Sequence, residues 1–186
     1  MIHLDLHAVC TGVVEEIAPG KRSAIRKHPV RTDTIAVGTL GLEGDEQKER
    51  RLYYGRQMHG GPDKAVCAYP HEHLPAWSEL LEREVLPGTF GENLSIGGVL
   101  EDEVRIGDRW RWGDVLLRVT EPRTPCYKLD LVLGRSVKRV MLHGAMTGWY
   151  LAVDEPGRAP TGGTIEVIEA GDGPTIADVL RGRKRS

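Results

Sequence analysis

A chain of 186 residues is long enough for one domain with a well-buried core and short for two independent domains of ordinary size. Its 25 basic and 27 acidic side chains leave a formal charge of −2, which excludes a bulk nucleic-acid binder with a strongly cationic face but not a site for a small anion. Glycine (23) and proline (11) are plentiful and phenylalanine occurs once, so short strands and turns are expected to outweigh long helices.

From Ile2 to Cys10 the apolar residues Ile2, Leu4, Leu6, Ala8 and Cys10 alternate with His3, Asp5 and His7, the period of a half-buried strand. Lys21, Arg22, Arg26, Lys27 and Arg31 crowd the next segment, which reads either as a solvated loop or edge strand or as a basic rim for an anion. Ile35 to Leu42 gives another strand ending in glycine turns, and His59-Gly60-Gly61-Pro62-Asp63 must be a loop. Lys64 to Tyr69 follows as a short buried strand that gives Cys67 a core role. Leu74, Trp77, Leu80, Leu81 and Val85 then repeat at helical spacing. His71 and His73 could share a metal, but no third ligand sits at a recognisable spacing, and they read as surface residues near a helix start.

Strand signals cluster at Val104–Ile106, at Arg109–Trp112 and at Val115–Val119, punctuated by Gly-Asp turns. A helix capped by Ser136 is expected through His143, a strand over Thr164–Ile168, and a further helix from Thr175. The sum is a mainly β protein, a closed barrel with a few short helices. One domain is expected over residues 1–172, with 173–186 a short tail. No run of about 18 apolar residues and no signal-peptide pattern occurs, so a cytoplasmic location with no membrane and no nucleic-acid partner is expected. There Cys10, Cys67 and Cys126, far apart and without a C-x-x-C pair, are expected as buried hydrophobes or working thiols.

Cys126 stands out by its setting, Glu121-Pro122-Arg123-Thr124-Pro125-Cys126-Tyr127-Lys128. Two prolines stiffen the backbone, and Arg123 and Lys128 would favour the thiolate if folding brings them close. A thiolate can attack an electrophile or bind a soft metal, and the same two cations suit a phosphate; a packed cysteine in a turn is the plain alternative. Neither a P-loop nor a G-x-G-x-x-G pattern is present, and neither is G-x-S-x-G or H-E-x-x-H, so the nucleotide folds, serine hydrolases and zincins lack their motifs.

Gly41-Leu-Glu-Gly44-Asp45, His59-Gly-Gly-Pro-Asp-Lys-Ala65, Phe90-Gly-Glu-Asn93-Leu94, Ile106-Gly-Asp108, Pro122-Arg123-Thr-Pro-Cys126-Tyr-Lys128 and Thr147-Gly-Trp-Tyr-Leu151 occur in the order found in MOSC domains. The chain resembles the YiiM-like branch of that family from about residue 5 to about residue 170. The resemblance implies a MOSC-type closed β-barrel that binds molybdenum cofactor (molybdopterin), an anionic pterin phosphate whose dithiolene holds the metal. It makes Cys126 the metal ligand and catalytic residue, with Arg123 and Lys128 balancing charge and His59, Asn93 and Asp45 lining or shaping the cleft. It also implies an oxidoreductase that reduces N-hydroxylated small molecules such as hydroxylaminopurine with electrons from a separate reductase. The alternative is a sulfur-carrier or cofactor-delivery module that uses a persulfide on Cys126.

For the borrowed residues the local readings stay open: Asp45 and Asp108 as Asx turns, Glu92 and Asn93 as caps, and His59 as a backbone partner. The chain departs from its relatives in a longer Glu46–Met58 segment, in Met146 and Ala152 where basic residues are frequent, and in a helical appendage whose remnant is the tail from residue 173.

Overall fold

The computed structural model describes residues 2–47, 52–53, 56–57, 60–134 and 136–182. The strands β1 (Ile2–Thr11), β2 (Val66–Pro70), β3 (Leu94–Gly97), β4 (Arg109–Trp112), β5 (Val115–Pro122), β6 (Trp149–Glu155) and β7 (Gly163–Glu169) hydrogen-bond in the order β3-β2-β6-β5-β4-β7-β1, and β1 pairs again with β3. The ring is therefore a closed seven-stranded barrel, which leaves no exposed edge along its wall. Only β2 and β3 run parallel. A small side sheet joins Thr34–Gly38 to Gly157–Pro160 and Gly41–Leu42.

β1 follows its alternation as far as Leu6, with Leu4 and Leu6 in the barrel core and Asp5 and His7 outside. A bulge between Leu6 and Ala8 then shifts the register, so that Val9 takes the core face. Trp110 and Trp112 fill the interior from β4, and Trp110 meets Trp149 of β6 edge to face at 5.9 Å.

Four short helices, α1 (Leu74–Leu81), α2 (Tyr127–Leu133), α3 (Val137–Gly144) and α4 (Ile176–Gly182), accompany the barrel. Buried side chains of α1–α3, with Ile25, Tyr69 and Phe90, form a second apolar cluster separate from the barrel interior, and Cys126 packs against it. Among the described residues no helix is long and apolar enough to cross a membrane.

Several expectations need correction. Val104–Ile106 is not a strand, because the Val104 amide bonds the Leu100 carbonyl in a turn, the Arg105 amide bonds Asp108 Oδ2 and the Ile106 amide bonds the distant Pro174 carbonyl, leaving only an isolated bridge between Arg105 and Thr175. α1 stops at Leu81, where Glu82 turns left-handed. Leu80 stays 43% exposed, while Val85 is buried from beyond the helix, its amide donating to Ser78 Oγ. Pro62–Lys64 forms a 3₁₀ turn, delaying β2 to Val66. Nothing in the local spacing announced α2. The helix expected from Thr175 is present as α4, its Asp178 amide donating to Thr175 Oγ1 at 3.1 Å, and it packs Ile176 and Leu180 into the barrel core.

Candidate functional site

A cleft of about 540 Å³, its open mouth included, gathers residues from distant parts of the chain. Two groups of polar side chains line it.

The first group is a closed network. Asp45, just past the Gly41–Leu42 strand, accepts the Gly12 amide on Oδ1 at 3.0 Å. Its Oδ2 accepts Lys27 Nζ at 2.5 Å and Asn93 Nδ2 at 2.8 Å. Asn93, immediately before β3, also donates to the Cys10 carbonyl at 3.1 Å and accepts the Cys67 amide at 3.1 Å. The side chains of Lys27 and Asp45 are 1% and 7% exposed, and such a pair survives burial only when further hydrogen bonds satisfy it, as here. The basic segment is thus only partly solvated: Lys21, Arg22, Arg26 and Arg31 face water, while Lys27 turns inward to an acid that local sequence could not reveal. Cys10 lies behind this network, its thiol pushed up to about 12 by burial and by the charge of Glu92.

The second group comprises Cys67, Arg123, Cys126 and Tyr150. Arg123 follows β5, its amide bonded to the Gly148 carbonyl at 3.0 Å. Its guanidinium is buried, donating from Nη2 to the Phe90 carbonyl, while Nη1 is buried and has no partner among the described residues. Gly91 beside it holds φ +80°, and a Cβ there would crowd Ile25, at 3.0 Å from its carbonyl, while meeting Nη2 at an ordinary 3.6 Å. Burial opposes the guanidinium charge, but Cys67, Tyr150, Glu92 and Cys126 around it raise its pKa overall. Glu92 holds the Gly88–Phe90 turn through two backbone amides, and burial pushes its carboxyl up.

Cys126 caps α2 from an extended conformation (φ −102°, ψ 166°) and is partly exposed. Cys67 is not a purely core thiol. It lines the cleft from β2, paired in register with Tyr150 of β6, and its pKa is raised, burial being the main cause. Burial, then the neighbouring Cys67, pushes the Tyr150 phenol up as well. Lys64 also lines the cleft, its ammonium 3.5 Å from Glu121 and 5.6 Å from the centre of the Tyr150 ring.

Of the residues singled out by sequence, Arg123, Cys126, Asn93 and Asp45 line one cleft. Lys128 is not among the lining residues; its ammonium reaches Ser23 Oγ at 3.3 Å. His59 lies outside the described residues, although Gly60 beside it lines the cleft. Lys64, Cys67 and Tyr150 are not singled out by the sequence, and Lys27 only as one charge of a possible basic rim; strand pairing and chain reversal bring them to the cleft. Met146 and Ala152 stand off the cleft. The Met146 carbonyl accepts the Tyr69 hydroxyl at 3.3 Å, and Ala152 is buried in β6 opposite Arg118.

His71 and His73 diverge. His71 stacks on His7 at 3.9 Å, and His73 bonds Glu101 at 2.9 Å. Among the described residues no three His, Cys, Asp or Glu side chains are grouped to hold a metal ion, so a metal at Cys126 would have to bring other ligands with it.

Residues 55–173 match the MOSC domain. The chain is 38% identical over 175 residues to protein YiiM of Escherichia coli K12, covering 91% of this chain and 75% of that one. It is 36% identical over 143 residues to a protein named reductase from Gibberella moniliformis, covering 73% of this chain and 24% of that longer protein. The crystal structure of YiiM from Geobacillus stearothermophilus superposes with a TM-score of 0.78 at 29% identity, over 96% of this chain and 82% of that one.

Proposed function

The chain belongs to the MOSC domain family, and from that premise we propose that it binds molybdenum cofactor and with it reduces N-hydroxylated compounds such as hydroxylaminopurine. The observation that carries this reading is Arg123 Nη1, a buried cationic donor without a partner among the described residues, in the same cleft as the partly exposed Cys126 thiol. An unsatisfied buried donor costs about 1–3 kcal/mol, and more when charged, so a cleft that keeps one is suited to an anion. The donor set fits an anionic pterin phosphate whose metal is soft: Arg123 would take negative charge and Cys126 would supply the thiolate.

In this reading Asp45 and Asn93 shape the cleft through their network with Lys27, and Lys128 adds positive charge from its place at Ser23. His59 is a further neighbour of the cofactor by its motif position. The bound cofactor supplies the two-electron reducing chemistry, with the protein setting orientation and charge. The net reaction consumes R–NHOH, two electrons and two protons, breaks the N–O bond, and releases R–NH2 and water. The electrons come from a separate reductase, since the chain carries no flavin or haem motif, and the setting is the cytoplasm.

The test is metal analysis of protein made in a host that synthesises the cofactor. Molybdenum is expected in the wild type and lost in Cys126→Ala, and its absence from both overturns the reading. A sulfur atom added to Cys126 by mass spectrometry, without molybdenum, would turn the assignment to a sulfur carrier. Formation of amine from hydroxylaminopurine with a supplied reductase then tests the reaction.

A further inference from the structure

We propose that Tyr150 is the residue that recognises the substrate's N–OH group, its phenolic hydroxyl donating a hydrogen bond to the hydroxylamine oxygen. This rests on the proposed reduction of N-hydroxylated compounds and adds the group that tells substrate from product.

The assignment follows from what each polar side chain of the cleft is already doing. Lys27, Asp45 and Asn93 are committed to one another and to backbone groups of Gly12, Cys10 and Cys67. Lys64 is engaged by Glu121. Arg123 uses one nitrogen on the Phe90 carbonyl, and its free Nη1 is the group assigned to the cofactor's negative charge. Cys126 is the thiolate ligand of the same reading.

Tyr150 remains. It is 8% exposed, lines the cleft, and makes no hydrogen bond through its hydroxyl among the described residues. Its electrostatic neighbours are Cys67, Arg123, Cys126 and Glu121, which places the phenol among the groups that would face the reacting centre. The ring itself is fixed. Its backbone pairs with Cys67 on β2 and with Glu121 on β5, its carbonyl accepts Thr120 Oγ1 at 3.1 Å, and the Lys64 ammonium stands over its face.

A rigid hydroxyl that reaches the cleft with no protein partner is open to a ligand, and a ligand that covers it must fill its hydrogen-bonding capacity or leave it desolvated and unmatched. The oxygen of R–NHOH fills it, and the product R–NH2 has no oxygen to offer. A site built around such a donor discriminates against a ligand that lacks the acceptor, because binding that ligand leaves the donor desolvated and unmatched. Burial also keeps the phenol protonated, so it acts as a donor throughout the physiological range.

The experiment uses molybdenum-loaded protein with no electron donor, so that ligands bind without turnover, and compares hydroxylaminopurine with its amine product by calorimetry. The wild type is expected to prefer the N-hydroxylated compound by about tenfold, and Tyr150→Phe to lose that preference while keeping its molybdenum and its unfolding midpoint. With reductase supplied, kcat/KM for the same substrate falls by a similar factor in Tyr150→Phe. A wild type that binds both ligands equally overturns the assignment, as does a Tyr150→Phe protein that keeps the preference. If Tyr150→Phe fails to fold, the wild-type preference and its loss in the donor-free Tyr150→Leu or Tyr150→Met decide in the same way. A wild type that carries molybdenum but turns over no N-hydroxylated compound refutes the reaction itself, a result separable from equal binding of the two ligands by an active enzyme.

Discussion

The two groups of side chains that share the cleft are built on opposite principles. Around Asp45 every charge is answered: Lys27 by the carboxylate, the carboxylate by Gly12 and Asn93, and Asn93 by the strands on either side of it. Around Arg123 the charge is buried but left open, with Nη1 unmatched among the described residues and Tyr150 lining the same cleft. The first arrangement is what a fold needs to seat polar groups in its interior. The second costs stability as it stands, which is the mark of a place that something else completes.

The contrast breaks first at Lys27. Lys27→Ala strands a buried carboxylate and is expected to cost about 3–5 kcal/mol in urea denaturation, with Lys27→Ala/Asp45→Ala costing much less than the sum of its two singles. Additive single-site effects would show the pair to be uncoupled and the closed network to be no network. Phosphate added to the buffer should leave these differences unchanged, because no donor of that network is free for it.

Arg123 gives the smaller effect with the opposite signature. Arg123→Leu loses the bond to the Phe90 carbonyl but also removes an unmatched charged donor, so its cost should lie near 1–3 kcal/mol. What distinguishes it is ligand dependence. Millimolar phosphate or pyrophosphate should raise the unfolding midpoint of the wild type and of Lys128→Ala, but not that of Arg123→Leu. An equal rise in all three would place the anion elsewhere.

Much of the barrel was legible because its signals are local. Alternation marked β1, the Trp110 and Trp112 pair marked β4, and Gly-Asp turns marked the breaks. Cys126 and Arg123 could be picked out because two prolines and two cations sit within one short segment. The rest was hidden by sequence distance. Lys27 looked like one more charge in a basic run, since its partner Asp45 lies 18 positions on. Cys67 and Tyr150 were two more apolar-run residues until the pairing of β2 with β6 set them side by side. α2 has only 7 residues and two buried leucines, too short a pattern to separate from a loop. Lys128 lies near Cys126 in sequence but reaches Ser23 Oγ instead of lining the cleft, because nearness in sequence does not fix where a helical side chain points.

The mildest test of the comparison is alkaline pH, because Cys10 belongs to the closed group and Cys67 to the open one. The folded-state pKa of Cys10 is about 12, so above about pH 9 the unfolded chain releases a proton that the folded chain keeps. Fewer protons bound in the unfolded state make stability fall as pH rises, by at most about 1.4 kcal/mol per pH unit for each such group. The contribution is intact below pH 9 and is lost progressively toward 12. Cys10→Ala should therefore flatten the decline measured by denaturation between these limits, with phosphate present or absent. Burial raises Cys67 in the same direction, so Cys67→Ala should flatten it too. Only for Cys67, whose neighbours include Arg123, should phosphate alter the size of the change, since an anion on Arg123 opposes a thiolate beside it. Equal phosphate effects on the two variants would mean that the closed and open groups answer the ligand as one.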